Sequence, residues 1–394
     1  MSSRLPAAFR SLSADLQSAF GEWRPGRPWE EGRFRDFALR CFRLQYRSID
    51  AYRRYCDRRG RTPENVAGWR DVPPVPTAAF RSVPLVVGDD PAAAEVEFRT
   101  SGTSRGASDR GRHPVIDAGL YRASLEPPFR HHVLPGPDGA DGAPEDRRVR
   151  ILSLLPPARE APDSSLCWMA DAVMERFGGA GSASVARGRS ALARDGADPG
   201  EALDWEEARA RVEEACADAE PLVVLATTLA AHEWTRRLAA RGRRLELPRG
   251  SRLMDTGGAK GREGLERSDV VEGVEDRLGL PPRSVVNEFG MTELLSQRYA
   301  PSAGPMAGWL EGPPWLETRA LDPVTLEEVP EGEAGLLCHH DLANAGSVSV
   351  VLTEDRGRVR HGRVKHLGRS AGSPPRGCSL ATAELLDARE EAAR

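Results

Sequence analysis

Apolar residues recur at three- and four-residue spacing through the first sixty positions, where Phe34, Phe37, Ala38, Cys41, Phe42 and Leu44 fall on one face. That spacing predicts amphipathic helices. Val72-Pro-Pro-Val-Pro76 ends the pattern and forces an extended connection into Phe80 and Val83–Val87. The chain then alternates. Apolar runs at Val149–Leu155, Leu222–Ala226, Arg252–Asp255 and Ser284–Asn287 predict strands. Helical periodicity appears at Val115–Leu125, Leu166–Phe177, Glu206–Ala219, His232–Arg241 and Val270–Leu278. Residues 135–147 and 178–200 have loop composition. Beyond 310, Glu333–His339 and Ser347–Thr353 are β-rich. The expected class is α/β, with mostly parallel sheets flanked by helices and a β-rich C-terminal part. It divides into a helical segment over 1–70, an α/β core over 71–310 and a β-rich portion with a short arm over 311–394.

Composition adds exclusions. With 394 residues, one large layered domain or two domains are expected. Fifty-five basic residues are offset by 59 acids and are scattered, so nucleic acid is not an expected partner. No signal-type stretch and no run of about 18 apolar residues occurs, so no membrane span is expected. The six cysteines (41, 56, 167, 216, 338 and 378) form no CxxC pair, which argues against a zinc site or a disulfide framework. A cytoplasmic location follows as an expectation. Only Lys260 and Lys365 among the basic residues are lysine; a compact ammonium is therefore available at two places alone.

Chemistry concentrates in loops that follow strand runs, where open α/β sheets bind ligands. Glu97-Phe-Arg-Thr-Ser-Gly-Thr-Ser-Arg-Gly-Ala-Ser108 combines glycines with the hydroxyls of Thr100, Ser101, Thr103 and Ser104, and Arg105, Arg110 and Arg112 surround it. Such a loop suits phosphate oxygens, although no Gly-Lys-Ser/Thr follows as in a Walker A loop. Asp255-Thr-Gly-Gly-Ala-Lys-Gly261 permits close approach of a planar ligand beside Lys260. In Asn287-Glu-Phe-Gly-Met-Thr-Glu293 a ring suits a base, Thr292 a phosphate and Glu293 a magnesium ion. A carboxylate in Thr353-Glu-Asp355, placed after a strand, suits ribose hydroxyls. Gly362 to Arg369 and Gly377-Cys378-Ser-Leu380 complete the series. Individually each segment is also an ordinary turn, cap or core element.

In that order the segments resemble the adenylate-forming enzymes of the phenylacetate-CoA-ligase-like branch, and most closely the acyl-protein synthetases of the bacterial bioluminescence fatty-acid reductase complex. The resemblance rests on Pro73-Pro-Val-Pro-Thr-Ala-Ala-Phe80, Phe98-x-Thr-Ser-Gly-Thr103, Arg112-His113 with Asp117 and Tyr121, and Thr256-Gly-Gly-Ala-Lys-Gly261. It continues through Phe289-Gly-Met-Thr-Glu293, Gly368-Arg369 and Gly377-Cys378-Ser-Leu380, and spans roughly residues 70 to 385. It implies that Thr100, Ser101, Gly102, Thr103 and His113 belong to the nucleotide site, with the β- and γ-phosphates on 101–103. Gly257 and Gly258 would flank the adenine and the acyl carboxylate, and Phe289 and Gly290 would lie at the base. Thr292 would contact the α-phosphate, Glu293 would hold Mg²⁺, Asp355 would bind the ribose and Arg369 would close over the nucleotide. Cys378 would take the acyl group. Three departures stand out: Thr103-Ser104-Arg105-Gly106 is one residue longer than the usual Thr-Thr-Gly, Gly111-Arg112-His113 replaces Ser-Arg-His, and Asp355 follows Thr353-Glu354 where larger relatives have Thr-Gly-Asp.

Larger adenylating enzymes carry a rotating C-terminal domain that supplies a catalytic lysine. This sequence runs only a short way past Arg369, so the full swivelling domain is expected to be missing and Lys260 to serve in its place. The expected reaction is ATP- and Mg²⁺-dependent activation of a carboxylic acid, with an aliphatic acid favoured, as acyl-AMP. Acyl transfer to the Cys378 thiol follows, for delivery to a reductase or carrier protein; Arg376, Arg369 and His366 would lower the thiol's pKa, and Gly372–Gly377 would give a mobile arm. Two alternatives stand beside it: an acyl-CoA or acyl-carrier-protein ligase with Cys378 structural, and an inactive relative acting as a binding component of a biosynthetic complex.

Overall fold

The computed structural model describes residues 5–30, 32–100, 110–136, 144, 146–188, 192, 202–257, 266–369 and 381–388. The chain opens with helices α1 (Ala7–Gly21), α2 (Arg33–Ser48) and α3 (Asp50–Arg58). Strand β1 (Val75–Pro76), the hairpin β2 (Val96–Arg99) and β3 (Arg112–Val115), and helix α4 (Ala118–His132) follow. The alternating part comprises β4 (Arg150–Ser153), α5 (Ser165–Phe177), β5 (Ala183–Ser184), α6 (Trp205–Ala217), β6 (Leu222–Thr227) and α7 (Thr228–Ala240). It continues with β7 (Arg252–Thr256), α8 (Arg267–Leu278), β8 (Val285–Phe289) and β9 (Arg298–Pro301). Last come β10 (Leu316–Leu321), β11 (Ala334–Asp341), β12 (Val350–Arg360), β13 (Arg363–Arg369) and a helix over 381–388.

Two compact units emerge, and the chain visits each more than once. The first comprises 1–127, 291–297 and 311–394, the second 128–290 and 298–310. The first passage from one to the other falls within α4, at Pro127-Pro128. Sequence periodicity ends this helix at Leu125, yet it runs on to His132 although each proline removes a backbone donor.

The second unit is the alternating part. Its sheet has the order β5-β4-β6-β7-β8-β9, parallel except for β9. The central strands β4 and β7 are buried along their whole length, as strands covered on both faces must be. Trp234, Val270, Val274 and Leu278 pack from α7 and α8 onto Val224, Leu253 and Val285. The strand-to-helix turns are capped: Thr227 accepts from Ala230 N at 3.1 Å, which starts α7 directly from β6, earlier than its apolar spacing suggests.

The first unit is built on a sheet in the order β1-β12-β11-β10, with β13 also on β12. Strand β12 is longer than its apolar run Ser347–Thr353 suggests. Its outer edge is shared: Val351 and Leu352 pair in parallel with β1, and Asp355–Arg360 pair antiparallel with β13. Asp355 therefore lies inside a strand, and the segment 363–369 is a strand as well. Polar alternation on an exposed hairpin hides both from an apolar-run reading. Helices α1 to α3 bury Phe9, Leu16, Phe20, Phe42, Tyr52 and Tyr55. Phe20 stacks on Trp315 at 4.3 Å, and Gln45 donates to Asn344 O at 3.1 Å, so these helices belong to the same core. Helix 381–388 buries Ala381, Leu385 and Ala388, and Glu384 pairs with Arg59 at 2.7 Å.

Candidate active site

The hydroxyl-rich loop joins β2 to β3. Register Phe98↔His113 and Arg99↔Arg112 closes the hairpin. Thr100 N donates to Gly111 O at 2.9 Å, and Gly111 N donates to Thr100 Oγ1 at 2.8 Å, so Thr100 forms the neck. Ser101, Gly102 and Thr103 lie outside the described residues. Two arginines read as phosphate charge have local work at this neck. Arg112 and Arg99 both bond Glu97, at 2.6 and 2.9 Å, and Arg110 donates to Thr100 O and Arg99 O. Burial would raise the Glu97 carboxyl, but Arg112 and Arg99 outweigh it and hold the group below its ordinary range.

His113 is fully buried on β3. Its Nδ1 lies 2.8 Å from Thr292 O; a carbonyl only accepts, so Nδ1 carries the proton. Burial lowers this imidazole to about 4, against a partial rise from the Thr292 bond, and it is neutral near pH 7. Thr292 itself begins a turn that continues to Ser296. Asn344 Nδ2 donates to Glu293 O at 2.8 Å, and its Oδ1 accepts from Leu295 N at 3.1 Å. Asp341 accepts from Leu295 N and Ser296 N, both at 2.9 Å, and from Ser296 Oγ at 2.6 Å.

The Glu293 side chain is buried, and burial raises its carboxyl to about 7. Arg369 and Arg81 oppose that rise and Asp355 adds to it, so one acid pair and two cations share this part of the first unit. Asp355 and Arg369 face each other across β12 and β13. Arg369 Nε is 3.4 Å from Asp355 Oδ1, and His366 Nε2 is 3.6 Å from Oδ2. Lys365 is exposed on β13 opposite Arg358. Among the described residues no cluster of three or more metal-ligating side chains occurs. A single buried carboxylate matches the way Mg²⁺ is usually held, by one or two carboxylates with substrate phosphates and water completing its shell.

The second unit carries the remaining described candidates at the carboxyl ends of β7 and β8. Gly257 sits at φ +88°, where glycine is favoured, and its carbonyl accepts from Thr228 Oγ1 at 3.1 Å. Beneath it Asp255 is fully buried, bonded by Arg267 NH1 at 2.7 Å and Thr228 Oγ1 at 2.7 Å. Arg267 NH2 continues to Ser302 Oγ at 2.7 Å. Thr256 Oγ1 bonds the Glu288 carboxyl, which burial raises to about 7. Phe289 is half-buried and Gly290 exposed. Gly258, Lys260 and Cys378 lie outside the described residues.

Sequence reasoning missed the supporting groups Asp255, Arg267, Glu288, Asp341 and Asn344, and it assigned His366 to the Cys378 thiol where the structure pairs it with Asp355. Only Asp255 and Glu288, flanking glycine and aromatic motif positions, left a signal. A cleft of about 680 Å³ in the second unit lies elsewhere, beside α5 and β5. Charged Arg159, Glu160 and Asp171 and apolar Pro157, Met174 and Val185 line it together.

These sheets define an adenylate-forming ligase fold. A 2-hydroxyisobutyryl-CoA ligase in an open conformation, in complex with 2-HIB-AMP and CoA, superposes with a TM-score of 0.54 at 14% identity, covering 89% of this chain and 80% of that one. The same ligase in a postadenylation state with R3-HIB-AMP also gives 0.54, at 13% identity over 92% and 68% of the two chains. Within that fold, the model of the family described as acyl-protein synthetase, LuxE, matches residues 189–386, and the chain belongs to this family. Two long-chain-fatty-acid–luciferin-component ligases are similar in sequence. The one from Aliivibrio fischeri is 34% identical over 83 residues, 19% of this chain and 22% of its own length. The one from Vibrio harveyi is 30% identical over 86 residues, 20% and 23%. The matches thus span less than a quarter of these relatives.

Proposed function

We propose that this protein is an AMP-forming acyl ligase that activates a carboxylic acid with ATP and passes the acyl group to a thiol, that of its own Cys378. The observation that carries this reading is the group of Glu293, Asp355 and Arg369, three motif residues far apart in sequence, gathered within one unit of a chain of the acyl-protein synthetase family. A carboxylate oxygen of the acid attacks the α-phosphorus of ATP, the bond to the β-phosphate oxygen breaks and pyrophosphate leaves. The Cys378 thiolate then attacks the acyl carbon, AMP departs and a thioester forms; a partner reductase or carrier protein receives the acyl group.

Little covalent help from protein is needed in the first step, since positioning and charge stabilisation carry it. Thr100 to Thr103 hold the terminal phosphates, Thr292 meets the α-phosphate, and Asp355 takes the ribose hydroxyls. Gly257, Gly258, Phe289 and Gly290 accommodate the base and the acyl carboxylate, while His113 supports the backbone of Thr292 within the first unit. Lys260 and Arg369 supply cations. Glu293, once deprotonated, would hold Mg²⁺, which neutralises charge on the departing pyrophosphate.

ATP–pyrophosphate exchange across a panel of fatty and aromatic acids tests the first step; no exchange with any acid sinks it. Intact mass after incubation with ATP and the best acid tests the second. A hydroxylamine-labile adduct is expected on wild type and none on Cys378→Ala. An equal adduct on both proteins removes Cys378 from the reaction, and stimulation of Cys378→Ala by free CoA identifies a different acceptor.

A further inference from the structure

We propose that His113, Asp341 and Asn344 are positioning residues that aim the Glu293 carboxylate, and that His113 acts through Nδ1 on the Thr292 backbone and not as a ligand of the nucleotide. The proposal rests on the reading of Glu293 above.

The turn Thr292–Ser296 has neither a helix nor a strand to pair its backbone. Leu294 N bonds Met291 O at 3.1 Å; the bonds that fix the turn to its surroundings come from side chains. His113 takes Thr292 O, Asn344 takes Glu293 O and Leu295 N, and Asp341 takes Leu295 N and Ser296 N. Every one of these side chains is buried. Buried amides left without such partners cost about 1–3 kcal/mol each, so the three residues do here what a sheet ladder does elsewhere. They bond the carbonyls of Thr292 and Glu293 and the amides that follow, so the Cα–Cβ vector of Glu293 is fixed from both sides.

Asn344 is suited to this as its acid counterpart is not. Its amide donates to Glu293 O and to Val348 O, at 2.8 and 3.1 Å, while its oxygen accepts from Leu295 N. A carboxylate there would face two carbonyls. The anchor behind it is firm as well: Asn344 O accepts from buried Gln45, whose Oε1 accepts from Ser349 Oγ at 3.1 Å. His113 offers a geometric discriminant. The Nδ2 of asparagine reaches the place of Nδ1, and the Nε2 of glutamine reaches the place of Nε2. The imidazole Nε2 is buried with no hydrogen-bond partner among the described residues, so the two substitutions separate a positioning role from a ligand role.

The test measures the Mg²⁺ dependence of ATP–pyrophosphate exchange together with deuterium uptake of the peptide 290–298, on the full chain. Asn344→Ala and His113→Gln are expected to raise half-saturating Mg²⁺ about tenfold or more and to speed uptake in that peptide. His113→Asn should stay close to wild type in both. Ser347→Ala is the control: it removes a bond from the same region, Ser347 Oγ to Leu85 O at 2.6 Å, whose acceptor lies outside the turn 292–296. It should lower the melting temperature without moving either readout. Recovery by His113→Gln and not by His113→Asn overturns the positioning role of His113, and Asn344→Ala matching Ser347→Ala overturns that of Asn344. If wild type exchanges no pyrophosphate, adenylation fails as a reading. The clamp is then judged on uptake alone, where Asn344→Ala equal to Ser347→Ala overturns it.

Discussion

At Glu293 burial and neighbouring charge pull in opposite directions, and burial wins. Its carboxyl stands at about 7, raised from 4.5 by desolvation although Arg369 and Arg81 pull it back. The raised value fixes the sign of a pH effect. Stability gained from the protonated group is fully present below about pH 4.5 and is lost as pH rises through about 7. A rise of that size corresponds to roughly 3 kcal/mol. Glu293→Gln, which cannot ionise, should therefore be more stable than wild type at pH 8 and similar at pH 4. Urea denaturation at several pH values reads this directly, and an unchanged pH slope would refute it. Glu288, also raised to about 7 by burial, keeps its own slope in the variant. The same substitution should reduce Mg²⁺-dependent pyrophosphate exchange by about a hundredfold. Thr292, Glu293, Asp355 and Arg369 were legible because motif order marks them. Asn344 and Asp341 were not, because their partners are backbone atoms brought near only by folding.

The β12–β13 hairpin shows how an element delivers a charge. His361 and Gly362 form its two-residue turn with φ of +48° and +71°, the geometry favoured between twisted antiparallel strands. Past the turn the register shifts between Arg356 and Gly357, and Gly368 stands at φ +93° directly before Arg369. That irregularity places Arg369 opposite Asp355. Among the described residues neither glycine has a heavy atom within 4 Å of an added Cβ, so the strain of substitution at either comes from φ. Gly362→Ala and Gly368→Ala should each cost about 1 kcal/mol of stability. They should part company in function: Gly368→Ala should also raise KM for ATP several-fold, because it disturbs the Asp355–Arg369 pair, while Gly362→Ala should not. Equal KM values in the two variants would mean that the irregularity has no role in the site. The apolar runs of β4, β6 and β7 announced themselves because both faces are buried. This hairpin and the two-residue β1 and β5 carry too little apolar signal to be read as strands.

Over the whole molecule the chain returns to the first unit for only seven residues, Met291–Gln297, before β9 resumes the second. No local pattern announces that excursion, since the bonds that capture it come from His113, Asp341 and Asn344, remote in sequence. The second unit keeps its own core and its own ionic centre, in which buried Asp255 is neutralised by Arg267. Removing one partner of a buried pair leaves an uncompensated charge and costs about 3–5 kcal/mol. Arg267→Ala should impose that cost on the second unit, and Asp255→Asn in the same chain should restore most of it, since the neutral amide needs no counter-ion. Native-state hydrogen exchange shows where the loss falls. Amides of β6 and β7 should exchange about a hundredfold faster or more in Arg267→Ala, and those of β11 and β12 should keep wild-type rates. Equal acceleration in both sheets would instead make the two units one cooperative body, and failure of Asp255→Asn to restore protection would show that Arg267 works through Ser302 and not through charge.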